Sequence, residues 1–156
     1  AFIKENADRW NLATMQKTTL PYEDNYLDLD PTVKDRLGNP VIRITADWKD
    51  NDLKMSAFLR EKMRLWFREA GAIATEDAPT GTQGPSTHAI GGTRMGVNKE
   101  TSTTDRWGFT HEVPNLGLMG GSVMGVSGAR NPTLTIMALS WRTGEHLAKQ
   151  WQSIAR

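Results

Sequence analysis

The chain has 156 residues, 38% of them hydrophobic, and its 19 basic residues nearly balance its 18 acidic residues. This length suits one ordinary domain, and without a long apolar run or a basic stripe we expect no membrane-spanning segment and no nucleic acid partner. Cysteine is absent, which excludes disulfides, thiolate metal sites and cysteine nucleophiles. The opening residues, AFIKENADRW, lack a signal-peptide pattern. A soluble protein of either the cytoplasm or the periplasm is expected.

The first part of the chain predicts a β-hairpin. Residues 1–21 have no clear pattern. Alternation of apolar and acidic residues favours a strand over Tyr22–Asp30, and a β-branched stretch favours a second strand over Val41–Trp48. Between them, Asp35 to Pro40 has the composition of a turn. The two strands are therefore expected to pair as an antiparallel hairpin.

A long amphipathic helix is predicted to follow the hairpin. The stretch Asp50 to Asp52 offers an N-cap with acid in the first turn, and Gly71 stands where a C-cap belongs. Apolar residues recur between them at helical spacing, which predicts that one face of the helix is core. These residues are Met55, Leu59, Met63, Trp66, Phe67 and Ala70.

The chain then changes in composition and leads to a histidine. Residues 74–85 are rich in Thr, Pro, Gly and acidic residues, which is typical of a loop. The loop feeds directly into His88, so it is either a lid over a site or a plain connection. Another polar loop is predicted over 98–104 and a turn over 105–109.

The last part of the chain predicts a strand, a loop and a helix. Leu116 to Met119 is apolar and predicts the strand, Gly120 to Gly128 predicts a small-residue loop, and the helix is predicted from Asn131 to about Gln150. Asn131 is a good N-cap, and Pro132 suits the first helical position, where its missing N–H costs nothing. The first turns of this helix are apolar nearly all round and are expected to be buried.

A glycine-rich loop ahead of a helix start allows backbone N–H groups to come close to an anionic group. Gly120, Gly121 and Ser122 form such a loop before the Asn-Pro helix start. The loop either approaches a cofactor, for which an anionic reduced flavin would be suitable, or is a tight strand-to-helix turn that binds nothing.

His88, in the stretch STHAIGGTRM, is the candidate acid–base residue. Histidine titrates near neutrality and is the usual group to take the proton of a substrate hydroxyl. His111 and His146 are expected to be surface residues, and three unclustered histidines make no metal site. Arg94 either binds a phosphate or pairs with a carboxylate such as Asp105, and the pairing is favoured.

Two stretches of the chain carry a family resemblance. HAIGGTRMG begins at His88, and RNPTLTI follows further along the chain from Arg130. In order, spacing and residue type they resemble the carboxy-terminal signature of the glucose-methanol-choline (GMC) family of FAD-dependent alcohol oxidoreductases, over roughly Tyr22 to the end. The resemblance implies an α+β fragment of a two-domain GMC flavoprotein, with part of the α/β FAD domain and an antiparallel sheet of the substrate domain.

The same resemblance implies how the chain is divided. Residues 1–85 are expected to belong mainly to the substrate-binding domain. Residues 86–156 are expected to carry the catalytic histidine and the strand, loop and helix that return to the FAD-binding domain. No GxGxxG fingerprint occurs in the chain. The implied partner is therefore a GxGxxG-bearing FAD-binding segment, amino-terminal in the same protein or in a separate chain.

The resemblance also assigns roles to individual residues. His88 and Asn131 fall on the catalytic pair of the family, so His88 is implied as the base or hydrogen-bond partner of the substrate oxygen. Asn131 is implied to orient the substrate hydroxyl while hydride passes to flavin N5. Asn131 can serve as N-cap at the same time, because an amide has both a carbonyl and an amino group. The implied FAD contacts are Gly120, Gly121, Ser122, Asn131, Pro132 and Thr133.

One departure from the family pattern bears on the substrate. Many members have Asp where this chain has Gly120, and a small residue there is more similar to pyranose oxidases and bacterial sugar dehydrogenases. The resemblance thus implies oxidation of a sugar or glycoside alcohol, and the sequence leaves dioxygen, a quinone or a cytochrome open as the electron acceptor. The alternative is a non-catalytic scaffold or partner-docking module that keeps the GMC fold. Such a module has no need of an intact His88 and Asn131.

Overall fold

The computed structural model describes residues 2–77 and 87–154. These residues form an α+β arrangement of one antiparallel hairpin and two long helices, joined by loops that hold much of the packing. Residues 78–86, which include most of the predicted loop at 74–85, lie outside the description. The regular elements are α1 (Phe2–Glu5), β1 (Tyr26–Lys34), β2 (Pro40–Thr45), α2 (Asp50–Glu69), a 3₁₀ turn (Gly121–Val123) and α3 (Thr133–Ile154).

The predicted hairpin is confirmed, with both strands shifted relative to the prediction. β1 pairs antiparallel with β2, and the register shifts between Leu29 and Lys34. The turn forms because Asp35 Oδ1 accepts the backbone N–H groups of Leu37 and Asn39 at 2.8 and 2.9 Å. At the open end of the hairpin, Asn25 exchanges two hydrogen bonds with the backbone of a residue after β2, which ends the strands earlier than composition predicts.

The predicted amphipathic helix is also present, but its N-cap is different. Helix α2 begins at Asp50, and Lys49 rather than the acidic stretch is the N-cap residue. Asp52 lies at the third helical position, fully buried, and its carboxylate accepts the Lys49 N–H at 3.1 Å. The acid therefore completes half of a capping box from inside the helix. The other end follows the prediction, since Gly71 adopts a φ of +85° and donates to the Arg68 carbonyl at 3.0 Å.

The predicted apolar face of α2 is not core within the described chain. Asp52 is the only buried residue of the helix, and Trp66 is 60% exposed. Met55, Leu59 and Met63 are half-buried. Helical spacing correctly predicted which side of α2 is apolar. No other described helix or strand packs extensively against that side, because the two hairpin strands contact mainly each other. One face of the hairpin, formed by Leu27, Leu29, Ile42 and Ile44, is likewise apolar and open, with Ile44 72% exposed.

The best-buried part of the molecule is built from loops that dock on α3. Phe109 and Val123 are its buried hydrophobic residues, with Val123 only 2% exposed. Trp107 lies between two side chains of α3: its ring stacks on His146 with centroids 4.1 Å apart, and Arg142 Cζ lies 4.2 Å from its centroid. The predicted turn at 105–109 is present and is held by Asp105, whose Oδ1 accepts backbone N–H groups within the turn.

The prediction of a regular strand over 116–119 is wrong. Gly117 forms an isolated antiparallel bridge to Phe109, and Leu118 donates to the Gly108 carbonyl at 2.8 Å. The apolar residues of this stretch pair with a turn rather than with a neighbouring strand. A single bridge is too short to count as a strand, although the local backbone is extended.

Helix α3 begins two residues later than predicted and ends later as well. It runs over Thr133–Ile154, and its first turns are exposed rather than buried: Leu134 is 79% and Met137 63% exposed. Apolar composition predicted burial, yet no described element covers this end of the helix. Within the described residues, neither long helix has a stretch apolar enough to cross a membrane.

Candidate active site

The loop that contains His88 is held directly against the glycine-rich loop before α3. The Thr93 N–H donates to the Ser122 carbonyl at 3.0 Å, and the Met95 N–H donates to the Val123 carbonyl at 2.9 Å. The Thr93 hydroxyl also donates to Ser122 Oγ at 2.8 Å. These three bonds join the two motifs across nearly thirty residues of chain, 29 for the hydroxyl pair. The predicted His88 and Gly120–Ser122 segments therefore form one local structure.

Gly121 permits the close approach of these loops. A Cβ at Gly121 would lie 2.9 Å from the Ala89 carbonyl oxygen and 3.4 Å from Ile136 Cδ1. The first distance is shorter than a carbon–oxygen van der Waals contact, which is about 3.3 Å. Because Gly121 has no side chain, both Ala89 and the second turn of α3 can lie close to its backbone. Any side chain there forces the two apart.

Gly120 has a different reason to be glycine. Its φ of +112° lies in a region that residues with a Cβ rarely adopt, and a Cβ would meet no described atom within 4 Å. The position is therefore restricted by backbone conformation rather than by crowding. It also leaves open space beside the loop, in contrast to the closed contact at Gly121.

His88 itself is half-buried and stands one residue before Ala89. Its place in the chain thus puts it next to the contact that Gly121 makes with the Ala89 carbonyl. The strand β1 supports the same loop, because a Cβ at Gly92 would lie 2.9 Å from Leu27 Cδ1. The histidine loop is held by the glycine loop on one side and by the hairpin on the other.

Asn131 is exposed and does not cap α3. The Pro132 carbonyl accepts the Ile136 N–H at 2.9 Å, which makes Pro132 the N-cap and corrects the prediction that Asn131 is the cap and Pro132 the first helical residue. The Asn131 Oδ1 instead accepts a hydrogen bond from Gln16 Nε2 at 2.8 Å. Within the described residues, Asn131 Nδ2 has no hydrogen-bond acceptor.

Gln16 and Thr93 are functional candidates that sequence reasoning missed. Gln16 lies in the segment without a clear pattern, 115 residues from Asn131, and no local signal predicts their contact. Its neighbour Lys17 donates to the Asp52 carbonyl at 2.8 Å, and burial lowers the pKa of Lys17 while the Asp52 charge opposes this. Thr93 lies inside the glycine turn after His88. Its hydroxyl is the sequence feature that could have identified it as a candidate.

The remaining histidines are not surface residues as predicted. His111 is half-buried, and its Nε2 lies 3.1 Å from the Ser102 hydroxyl. His146 stacks on Trp107 and meets Phe109 edge to face at 6.4 Å. His146 is covered by residues nearly forty positions away in the chain, whereas the partner of His111 is only nine positions away. Neither ring lies in the loops that contain His88 and Asn131.

The favoured pairing of Arg94 with Asp105 is also wrong. Arg94 Nε donates to the Thr101 carbonyl at 2.9 Å, while Asp105 accepts backbone N–H groups of its own turn. No ion pair joins them in the part of the chain that the structure describes. In the same part of the chain, no group of three or more His, Asp or Glu residues is arranged to hold a metal ion.

A histidine loop bound to a glycine loop before a long helix is the arrangement expected for the carboxy-terminal part of a GMC oxidoreductase. The sequence profile of the GMC oxidoreductase family matches residues 21–140. The match covers most of the chain, from just before the hairpin to the first turns of α3. The chain belongs to the GMC oxidoreductase family.

Three of the relatives that the chain resembles are named as dehydrogenases. It is 34% identical over 153 residues to 2-methyl-1,2-propanediol dehydrogenase of Mycolicibacterium austroafricanum, covering 98% of this chain and 28% of the relative. It is 34% identical to the gluconate 2-dehydrogenase flavoprotein of Pantoea cypripedii, covering 83% and 22% of the two chains. It is 36% identical to the fructose dehydrogenase large subunit of Gluconobacter japonicus, covering 81% and 23%. The chain therefore spans 28% or less of the length of these relatives.

Proposed function

We propose that this chain forms the carboxy-terminal part of an FAD-dependent oxidoreductase that oxidises a sugar or glycoside alcohol. The observation that carries the proposal is the set of hydrogen bonds from Thr93 and Met95 to the loop at Ser122 and Val123. Together with the contacts of Gly121 with Ala89 and Ile136, these bonds support the proposal that the segments of His88 and Asn131 form one site. Both residues of the catalytic pair are present in the chain.

The residues before and within the first turn of α3 fit the flavin of FAD. The first N–H groups of a helix have no intrahelical acceptor, and here Thr133, Leu134 and Thr135 are exposed. The helix dipole adds partial positive charge at the same end, which suits an anionic ring system. Gly120 leaves open space beside the glycine-rich loop. Gly120, Gly121, Ser122, Asn131, Pro132 and Thr133 are the residues proposed to contact FAD.

The chain's own side chains supply the acid–base part of the reaction. His88 takes the proton of the substrate hydroxyl as the neighbouring C–H hydrogen leaves. Asn131 Nδ2 donates a hydrogen bond to the same oxygen and stabilises the negative charge that develops on it. FAD, when bound by the residues named above, would supply the hydride acceptor. In this proposal His88 and Asn131 together bind the alcohol oxygen and orient it.

The substrate class follows from the small residue at Gly120 and from the relatives. Two of the three relatives are named for gluconate and fructose, and the third for a small diol. All three names denote molecules with more than one hydroxyl group. A sugar or related polyhydroxyl compound is the proposed substrate of the complete enzyme.

The partner of this chain is proposed to be the GxGxxG-bearing remainder of the flavoprotein, in the same chain or in a separate one. Apolar residues that elsewhere form cores are open here on α2, on the hairpin and on α3. Surfaces of this extent are normally covered by other protein. The exposed start of α3, with Leu134 and Met137, is the part proposed to meet the FAD-binding domain.

The test is the rate of flavin reduction in the complete enzyme, measured by stopped-flow absorbance under anaerobic conditions. Replacing His88 or Asn131 by Ala is expected to lower that rate about 100-fold or more while FAD stays bound, in line with the effects of general bases. His111→Ala is the matched control, since His111 lies outside the two loops. Near-normal reduction in both site variants would overturn the proposal and favour the scaffold alternative.

A further inference from the structure

We propose that Gln16 is a positioning residue that fixes the orientation of the Asn131 amide, an inference that rests on the proposed function. The two side chains come from opposite ends of the chain, and Gln16 Nε2 donates to Asn131 Oδ1 at 2.8 Å. The bond lies within the normal range for a hydrogen bond between amides. It is the only described hydrogen bond of the Asn131 side chain.

The orientation of an asparagine amide requires such a partner. The terminal torsion of Asn is broad and nearly two-fold, so an unsupported amide turns its carbonyl and its amino group to either side. Only the amino group can donate to a substrate oxygen. Because the Asn131 carbonyl oxygen accepts the hydrogen bond from Gln16, the amino group of Asn131 is directed away from Gln16.

This direction matters for the chemistry. As the substrate hydroxyl loses its proton, its oxygen gains negative charge, and a fixed N–H donor stabilises that charge without reorganising. A turned amide presents a carbonyl oxygen and repels the same charge. Gln16 therefore acts on catalysis through Asn131 and makes no contact with the reacting atoms.

Gln16 is itself held in place by the residues that follow it. Lys17 Nζ donates to the Asp52 carbonyl at 2.8 Å and to Ser56 Oγ at 2.6 Å, which ties the segment to α2. The Thr18 hydroxyl donates to the Ser127 carbonyl at 2.8 Å, which ties it to the loop before α3. The segment thus bridges α2 and the loop that leads to Asn131.

The bridge borders an open depression of about 700 Å³. Gln16 and Asn131 both line it, together with Arg130 and Leu59. A depression of this size admits a molecule as large as a sugar. A small polyhydroxyl compound can therefore reach the Asn131 amide from the side of this depression.

The experiment is a double-mutant cycle in the complete FAD-loaded enzyme, with stopped-flow flavin reduction as the readout. Gln16→Met removes the donor while keeping side-chain length, and it is expected to lower the rate about 2- to 10-fold, the range of a single net hydrogen bond. In an Asn131→Ala background the same substitution is expected to change the rate by less than about 2-fold. Gln152→Met, at an exposed position in the last turn of α3, is the matched control.

Gln16→Glu separates positioning from a general structural role. Glutamate has the shape of glutamine, but its carboxylate can only accept, so it draws Asn131 Nδ2 toward itself and turns the carbonyl to the substrate. Positioning predicts a larger loss of rate for Gln16→Glu than for Gln16→Met. A structural role predicts the reverse, because Glu is the closer match in shape.

The possible failures are distinguishable. If Gln16→Met lowers the rate equally with and without Asn131, or if Gln16→Glu is the milder change, Gln16 does not position the amide. Either result leaves the proposed function standing as long as Asn131→Ala alone is strongly impaired. If Asn131→Ala alone reduces flavin at a normal rate, the proposed function fails first.

Discussion

Gly121→Ala tests the contact that brings the His88 loop to the start of α3. The new Cβ would stand 2.9 Å from the Ala89 carbonyl oxygen, which is a backbone atom, and 3.4 Å from Ile136 Cδ1. A relaxed carbon–oxygen contact needs about 3.3 Å or more, so the two segments must separate by roughly 0.4 Å. Rotating a side chain cannot relieve this clash. The backbone next to His88 has to move.

The magnitude follows from the size of that displacement. Overpacking of a well-filled site costs about 1–3 kcal/mol of stability. A misplacement of about 1 Å at reacting groups lowers rates about 100-fold. A shift of roughly 0.4 Å is therefore expected to lower the rate of flavin reduction on the order of 10-fold, with FAD still bound.

The assay is single-turnover flavin reduction in the complete enzyme, with FAD content measured from absorbance. Gly125→Ala is the matched control, because Gly125 lies in the same glycine-rich loop, has no positive φ and has open space around its Cβ position. Equal rates for Gly121→Ala and the natural enzyme would refute the reasoning. So would an equally large loss in Gly125→Ala, which would indicate a general effect of adding a methyl group to the loop.

Two further predictions concern the stability of the complete enzyme. Gly108→Ala is expected to lower the free energy of unfolding by about 1–3 kcal/mol more than Gly38→Ala does, as measured by thermal denaturation. Both glycines have a φ of +86°, but only at Gly108 would the Cβ meet a backbone atom, the Leu118 carbonyl oxygen at 2.8 Å, so equal losses would contradict the crowding argument. The second prediction concerns pH: the backbone N–H groups of Asn39 and Leu37 lower the pKa of Asp35. A lowered pKa in the folded state gives stability that is present above the unfolded value, near pH 4, and is lost as pH falls through the folded pKa. The Tm advantage of the natural enzyme over Asp35→Asn should therefore shrink as pH falls below about 4, and an advantage independent of pH would contradict it.

Local sequence patterns predicted the elements whose stabilising contacts are local. The hairpin follows from alternation and from the turn at Asp35, whose carboxylate binds N–H groups only a few residues away. The end of α2 follows from Gly71, which adopts positive φ and closes the helix with its own last turn. The family membership followed from two motifs read in order, HAIGGTRMG and RNPTLTI.

The burial of apolar faces could not be predicted from their periodicity. The stripe on α2 and the first turns of α3 have the spacing of core residues, yet Trp66 and Leu134 are exposed in the described chain. Periodicity identifies which face of a helix is apolar, but burial depends on what packs against that face. Here no described helix or strand of the chain covers these faces.

The candidate site also combines residues that the sequence predicted with contacts that only the structure shows. Sequence reasoning selected His88 and Asn131 as a pair, and their catalytic roles stay predictions. Three-dimensional contacts showed what holds them: Thr93 on Ser122 for one loop, and Gln16 on the Asn131 amide for the other. A hydrogen bond between residues 115 positions apart depends on how distant segments fold together. Such a bond leaves no periodic or local trace in the sequence, so only the folded arrangement reveals it.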